Sequence, residues 1–345
     1  MKVLKVLVLG LIGLVVALAV IGLALPRQVH IERTTVIAAK PATVYTYLNG
    51  WKNFNAWSPW AALDPNTKYT FEGPLVGVGA KQSWFSDDPN VGNGSQEITA
   101  VETDKAITIK LMLPNMEPSV VTQTLTPEGE GTKLVWAMNA DMGINPLNRW
   151  FGLLLEKFIG PDYEKGLASM KPLIEVHAKK NFSGIKLELV KIESMPILYK
   201  TMAANSRNID HKLGEDFAEI GAVILENGAK QVAPPMVIHR GAAKFVFMDD
   251  PSAEFENFDP AIIVDRAEFK MPHDSIVKIG RSYGGWVLRT VHVGPNETLM
   301  QDYAKLASFK KVAGLENNGD RWEQYLSDVA ALPAEQRKQI NWPVK

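Results

Sequence analysis

Side chains able to do covalent or metal chemistry are sparse in this sequence. Cysteine is absent, which removes disulfides, thiol catalysis, iron–sulfur clusters and thiolate zinc sites together. The six histidines, His30, His177, His211, His239, His273 and His292, show no H-x-x-x-H or similar pairing. Each is therefore expected to be a surface or satisfied core residue, and no metal site is expected. Gly77-Val78-Gly79 and Gly92-Asn93-Gly94 read as turns, and neither completes a phosphate-binding pattern. No nucleophile elbow signals Ser/His/Asp hydrolysis. The residues call for no cofactor. What the chain offers instead is aromatic surface. Trp51, Trp57 and Trp60 fall within ten residues, and Trp84, Phe85 and Trp136 follow. Such a group either caps a core or walls an apolar pocket, because an indole buries a large area with one polar tip.

The elements that must position these rings come next. The chain is 345 residues long, and at about 100–200 residues per domain that suggests two domains. Hydrophobic residues make up 46% and charged residues 22%, which excludes a disordered chain or a coiled-coil rod. The net charge is -1, with 17 basic and 16 acidic groups in residues 1–180 and 20 and 22 in the rest. No basic field is available to hold phosphates, so no nucleic acid is expected as a partner. Val6 to Leu25 is a run of 20 residues without a polar side chain. As a helix it spans roughly 30 Å, the thickness of a bilayer core. A cleaved signal peptide has a shorter apolar core of about 7–15 residues. Ala17 and Ala19 offer an A-x-A pattern, but the run continues past them. Residues 1–26 are therefore read as a retained single-pass anchor, contacting the bilayer through residues 6–25. Lys2 and Lys5 favour an inside N-terminus, against Arg27 and Arg33 on the other flank. That orientation would place everything after residue 26 outside the cytoplasmic membrane.

The first soluble domain is expected over 28–178. Val29 to Ile37 alternates as a strand, Pro41 to Leu48 forms a short helix, and Trp51 to Trp60 a loop. Strands are expected over Lys68–Gly73, Gly79–Ser86, Gly94–Glu102, Ala106–Leu113, Val120–Thr126 and Thr132–Asn139. A long helix, Asn148 to His177, closes the domain, its apolar stripe running through Phe151, Leu154, Leu155, Phe158, Leu167, Met170 and Ile174. Gly160-Pro161 is expected to interrupt or kink it. The stretches Lys40-Pro41-Ala42-Thr43-Val44-Tyr45, Trp57-Ser58-Pro59-Trp60 and Gly73-Pro74-Leu75-Val76-Gly77-Val78-Gly79-Ala80, with the Gly166–Glu175 helix, resemble the SRPBCC superfamily of START-like and polyketide-cyclase relatives. The resemblance covers essentially all of 28–178. It implies a helix-grip fold around a deep apolar cavity, with Trp57, Trp60, Trp84 and Trp136 as candidate wall residues, and it implies no activity.

Residues 179–184 are a polar break and read as a linker. Beyond it, 185–345 carries an internal repeat of strand, strand, helix and returning strands. The first copy takes Lys186–Ile192, Ile197–Ala203, a helix from Ile209 to Asn227, then Met236–His239 and Ala243–Phe247. The second takes Ser275–Gly280, Trp286–Val293, a helix from Pro295 to Val312, then Arg321–Leu326 and Ile340–Val344. Two such modules would form one sheet with a groove between the helices, a common place for a ligand.

Val291-His292-Val293-Gly294-Pro295-Asn296-Glu297-Thr298-Leu299 and Arg321-Trp322-Glu323-Gln324-Tyr325-Leu326-Ser327-Asp328 resemble the GyrI-like domain, the effector-binding domain of bacterial transcription activators and multidrug sensors. The fold class expected is thus α+β: a transmembrane helix, a helix-grip antiparallel sheet domain, and a duplicated strand-helix-strand-strand GyrI-like domain. In that family a buried Glu of the E-x-Y-L strand faces the pocket, and Glu323 stands at the matching position. The resemblance implies pairing with a cationic aromatic ligand, or action as a general base with a raised pKa. The family's Tyr after Gly-Pro is Asn296 here. Trp286, Tyr283, Tyr199 and Phe245 are the candidate aromatic surfaces. No segment is left over for a helix-turn-helix, so ligand binding transfers and DNA binding does not. The chain is expected to bind hydrophobic, amphipathic or cationic aromatic small molecules in an SRPBCC-type cavity and a GyrI-like groove. The alternatives are a hydrolase of reactive small molecules with Glu323 as general base, and a scaffold that binds protein.

Overall fold

A computed structural model describes residues 2–204, 209–240, 256–328 and 331–345. Contacts divide the chain into two compact units, Met1–Lys180 with Val312–Gly314, and Asn181–Lys311 with Leu315–Lys345. The class is α+β with two large antiparallel sheets and an apolar N-terminal helix.

In the first unit, α1 (Lys2–Ala24) is apolar and long enough to cross a membrane, and Leu7 to Ala24 is almost wholly exposed. There follow β1 (Gln28–Ile37), α2 (Pro41–Leu48), α3 (Pro59–Leu63), β2 (Lys68–Glu72), β3 (Lys81–Phe85), β4 (Asn93–Glu102), β5 (Ala106–Met112), β6 (Ser119–Glu128), β7 (Gly131–Asp141) and α4 (Pro146–Glu175). The strands form one antiparallel sheet of seven in the order β1-β7-β6-β5-β4-β3-β2. Period-two alternation sets its inner face: Thr132, Leu134, Trp136, Met138 and Ala140 of β7 are buried, as are Ser119, Val121, Gln123 and Leu125 of β6. Proline opens α2, α3 and α4, where its missing N–H costs nothing. Asn145 caps α4 by accepting from the Leu147 N–H at 3.0 Å.

Of the interruption or kink expected at Gly160-Pro161, the interruption does not occur, and α4 runs through both Pro161 and Pro172. A proline inside a helix costs about 3 kcal/mol in lost bonding and crowding. Packing offsets it. Arg33 reaches from β1 across Gly160, where no Cβ obstructs it, and donates to Glu164 and Glu156 at 2.7 Å each. The expected apolar stripe is also corrected. The buried face of α4 is Gly152, Leu155, Gly160, Tyr163, Gly166, Leu167, Met170 and Ile174, whereas Phe151, Leu154 and Phe158 are exposed. Glycines let the helix approach the sheet closely: a Cβ on Gly152 would sit 2.9 Å from Met142, and one on Gly166 2.9 Å from the Trp136 ring.

The second unit contains β8 (Glu188–Ile192), β9 (Pro196–Tyr199), β10 (Met202–Ala204), α5 (Ile209–Glu226), β11 (Met236–Arg240), β12 (Glu256–Ile263), β13 (Lys278–Arg281), β14 (Gly285–Val293), α6 (Asn296–Val312), β15 (Trp322–Tyr325) and β16 (Arg337–Pro343). Its sheet runs β13-β9-β12-β11-β15-β16-β14-β8, with β10 paired to β12. The strand expected over Ile197–Ala203 is two strands, because Lys200 between them is buried and pairs with Asp216 and Glu219 of α5. The strand expected at Ala243–Phe247 lies outside the described residues. β11 pairs with β15 on one side and, on the other, with β12. Pro260 in its middle makes that stretch read as a non-strand, and it sits there opposite Val237 with its carbonyl accepting from the Lys200 N–H.

Candidate functional site

The inner face of the first sheet and the first half of α4 enclose a cavity of about 360 Å³. Its apolar wall includes Trp60, Trp84, Leu111, Met138, Phe151 and Tyr163. Of the four tryptophans proposed from the sequence, Trp60, Trp84 and Trp136 line it and Trp57 does not. Trp57 is buried behind the wall, edge-on to Trp136 with ring centroids 5.3 Å apart at 82°. Trp136 in turn stacks on Tyr163 at 3.8 Å and 11°, and Trp60 meets it edge-on at 6.4 Å. Burial pushes the Tyr163 phenol up, so it stays protonated across the physiological range.

The polar residues of this wall were not singled out from the sequence. Gln82, Gln96, Ser119 and Gln123 all line the cavity and are buried. Strand register assembles them: Gln82 pairs with Gln96 across β3 and β4, and Gln123 pairs with Trp136 across β6 and β7. Gln82 donates through Nε2 to Asn55 at 3.3 Å. The Gln82 Oε1, the Gln123 Oε1 and the Trp136 Nε1 are buried without a hydrogen-bond partner. No Asp, Glu, Lys, Arg or His is among the lining residues. The site can therefore hold an apolar body and exchange hydrogen bonds with a neutral polar group, but it offers no ionised acid or base. Each Gln sits at an inward position of its strand, which the strand register reveals.

In the second unit, Glu323 is buried on β15. Its Oε1 accepts from the Tyr303 hydroxyl of α6 at 2.9 Å. The His239 Nε2 stands 3.4 Å away and the Lys338 Nζ 3.6 Å from Oε2. Burial alone would raise this carboxyl, but His239, Lys338 and Tyr303 outweigh it and hold it down to about 2. The raised basicity expected of a carboxylate in an apolar pocket is reversed. Arg321 lies over the Tyr303 and Trp342 rings at 5.0 and 5.1 Å, and Lys338 over Tyr325 at 4.7 Å. The chain thus supplies its own cations to the aromatic faces around Glu323.

A cleft of about 560 Å³ lies on the opposite face of the same sheet. Met236, Ile238, Trp322 and Gln324 line it, so their strand neighbours Val237 and Glu323 point away. Tyr283 lines this cleft beside Trp322, and Tyr199 packs against the cluster beneath. Trp286 points to the Glu323 side of the sheet but lies toward the Gly285 end of β14, away from the row Thr290, Ile340 and Glu323. Phe245 lies outside the described residues. The four described residues of the groove expected from the sequence, Glu323, Trp286, Tyr283 and Tyr199, are therefore not brought together.

The family model described as polyketide cyclase / dehydrase and lipid transport matches residues 28–175. No curated protein matches the chain. Among solved structures, an uncharacterized conserved protein from Listeria innocua is 17% identical, with 51% of this chain and 98% of that chain covered at a TM-score of 0.38. The EcmrR C-terminal domain is 13% identical over 47% of this chain and 98% of that one, at 0.37. The di-domain ARO/CYC StfQ of the steffimycin biosynthetic pathway is 17% identical over 44% and 52%, at 0.34.

Proposed function

We propose that the first unit is a binding domain for an uncharged lipophilic small molecule that carries hydrogen-bonding groups, tethered to a membrane by α1. The observation that carries this reading is the cavity wall, which combines aromatic surface, three unpartnered buried polar atoms and no charge. Burying a bare charge there costs several kcal/mol, so ionised ligands are rejected. A neutral ligand offering a donor to the glutamine oxygens and an acceptor to the Trp136 indole satisfies groups that the chain leaves open. The match of residues 28–175 to a family described in part by lipid transport supports the same class of ligand.

The domain reading is 28–178 followed by a GyrI-like 185–345. The strand order of the second sheet supports the duplication. β11 and β15 meet at the centre, β12 and β16 flank them, β9 and β14 lie next, and β13 and β8 close the edges. Each module's first strand thus sits on the other module's edge. Glu323 is a structural anchor of that unit in this reading, since it is neutralised internally and held a weak base.

The test is native mass spectrometry of the full chain extracted in mild detergent. A retained neutral molecule, lost in Trp136→Ala and kept in Glu323→Gln, is the expected result. A retained ion, or a molecule lost only in Glu323→Gln, refutes the assignment.

A further inference from the structure

We propose that the solvent face of the first half of α4 lies on the lipid bilayer, so that the cavity opens at the membrane surface. The inference rests on reading α1 as a membrane span. Leu147, Phe151, Leu154 and Phe158 are 73%, 44%, 47% and 53% exposed, and Ile144 just before the helix is 80% exposed. At 3.6 residues per turn, or about 100° per residue, these four helix positions fall within roughly 60° of one another. They are centred about 120° round the helix from Gly152, Tyr163 and Gly166, which pack toward the sheet. Contiguous apolar exposure of this kind marks an interaction surface.

Continuity with α1 identifies the partner as lipid. The start of α4 is bonded to the last turns of α1: Trp150 Nε1 donates to the Leu18 carbonyl at 3.0 Å, and Arg149 donates to the carbonyls of Leu23 and Leu25. Gly22 allows the approach, because a Cβ there would meet Pro146 at 2.7 Å. Leu18 lies six residues before Ala24, or about 9 Å along the helix. A membrane-spanning α1 therefore sets the Trp150 indole several ångströms below the headgroups, on the hydrocarbon side of the interface, and draws the first turns of α4 to the bilayer with it. Trp150 occupies one flank of the apolar face, toward α1. Phe151 occupies the other flank and belongs both to the exposed face and to the cavity wall. The same face turns polar at Asp162 and Lys165, farther from the anchor. An apolar half next to the span and a charged half beyond it fit a helix that leaves the interface along its length.

The absence of cysteine lets single labels report depth directly. Leu147→Cys, Leu154→Cys and Phe158→Cys in the full chain would carry an environment-sensitive fluorophore, with Leu14→Cys and Glu130→Cys as references. The proteins would be reconstituted in vesicles of phosphatidylethanolamine and phosphatidylglycerol, with doxyl groups on the acyl chains near the headgroup or near the bilayer centre. The proposal predicts blue-shifted emission, quenched by the shallow probe, at the three α4 positions. The Leu14 label should be quenched by the deep probe and the Glu130 label by neither. Water-like emission at the α4 positions with Leu14 quenched overturns the proposal and leaves the anchor intact. Blue-shifted but unquenched α4 labels also overturn it, since protein then covers the face. An unquenched Leu14 removes the anchor and the proposal together.

Discussion

Gln123 Oε1 and Trp136 Nε1 are buried without a hydrogen-bond partner. Each such atom costs about 1–3 kcal/mol relative to a satisfied or apolar substitute. Gln123→Met keeps the shape and removes the orphan, so it is expected to raise stability by about 1 kcal/mol in urea titration while weakening ligand binding. A loss of stability would mean that the Gln123 amide is satisfied in the folded chain. Glu323 makes the opposite prediction. Its folded pKa, about 2, lies below the ordinary 4.5, so its stabilisation is fully present above about 4.5 and is lost as pH falls through about 2. Tyr303→Phe removes the 2.9 Å donor, should cost about 1–3 kcal/mol, and should move that acid limb to higher pH. Urea midpoints measured across the acid range check both statements.

Helix α4 is the element whose packing shapes the cavity. Gly166→Ala sets two effects against each other. Alanine gains about 1 kcal/mol in helix propensity over glycine, but its Cβ would stand 2.9 Å from the Trp136 ring, and overpacking costs about 1–3 kcal/mol. The overpacking term wins because Trp136 is held between Trp57 and Tyr163. The variant should be less stable, and its tryptophan emission should shift. Unchanged stability and emission would show that the wall yields. This same helix shows where sequence patterns stop being informative. The strands of the first sheet alternate cleanly, so their number and inward faces are legible. In α4 the apolar residues occur on nearly every side of the first half, and the face that packs is chosen by glycines, which carry no hydrophobic signal. Pro161 reads as a break because the local cost is visible, whereas the contacts that α4 makes beside it, such as that of Arg33, come from as far as 128 residues away. In β12, Pro260 hides a strand for the same reason. The aromatic part of the cavity wall was legible as a tryptophan cluster. Its glutamines were not, because an inward-facing amide resembles any outward-facing one until strand register is known.

At the scale of the whole molecule, an apolar helix long enough to cross a membrane, a cavity and an apolar helix face belong to the same unit. The full chain is expected to resist alkaline extraction from membranes, and a version starting at residue 27 to be released by it. Release of both would remove the anchor. The claim at the centre is that the cavity selects by charge. It is tested most directly by titrating the detergent-free chain starting at residue 27 with three ligands that share one tail: dodecanol, dodecanoate and dodecylammonium. Calorimetry at neutral pH should find the alcohol bound at least about tenfold more tightly than either ion, because burying an uncompensated charge costs well over the 1.4 kcal/mol that tenfold represents. Trp136→Ala should weaken the alcohol and narrow the difference. Binding of dodecanoate or dodecylammonium as tight as that of dodecanol would contradict the account.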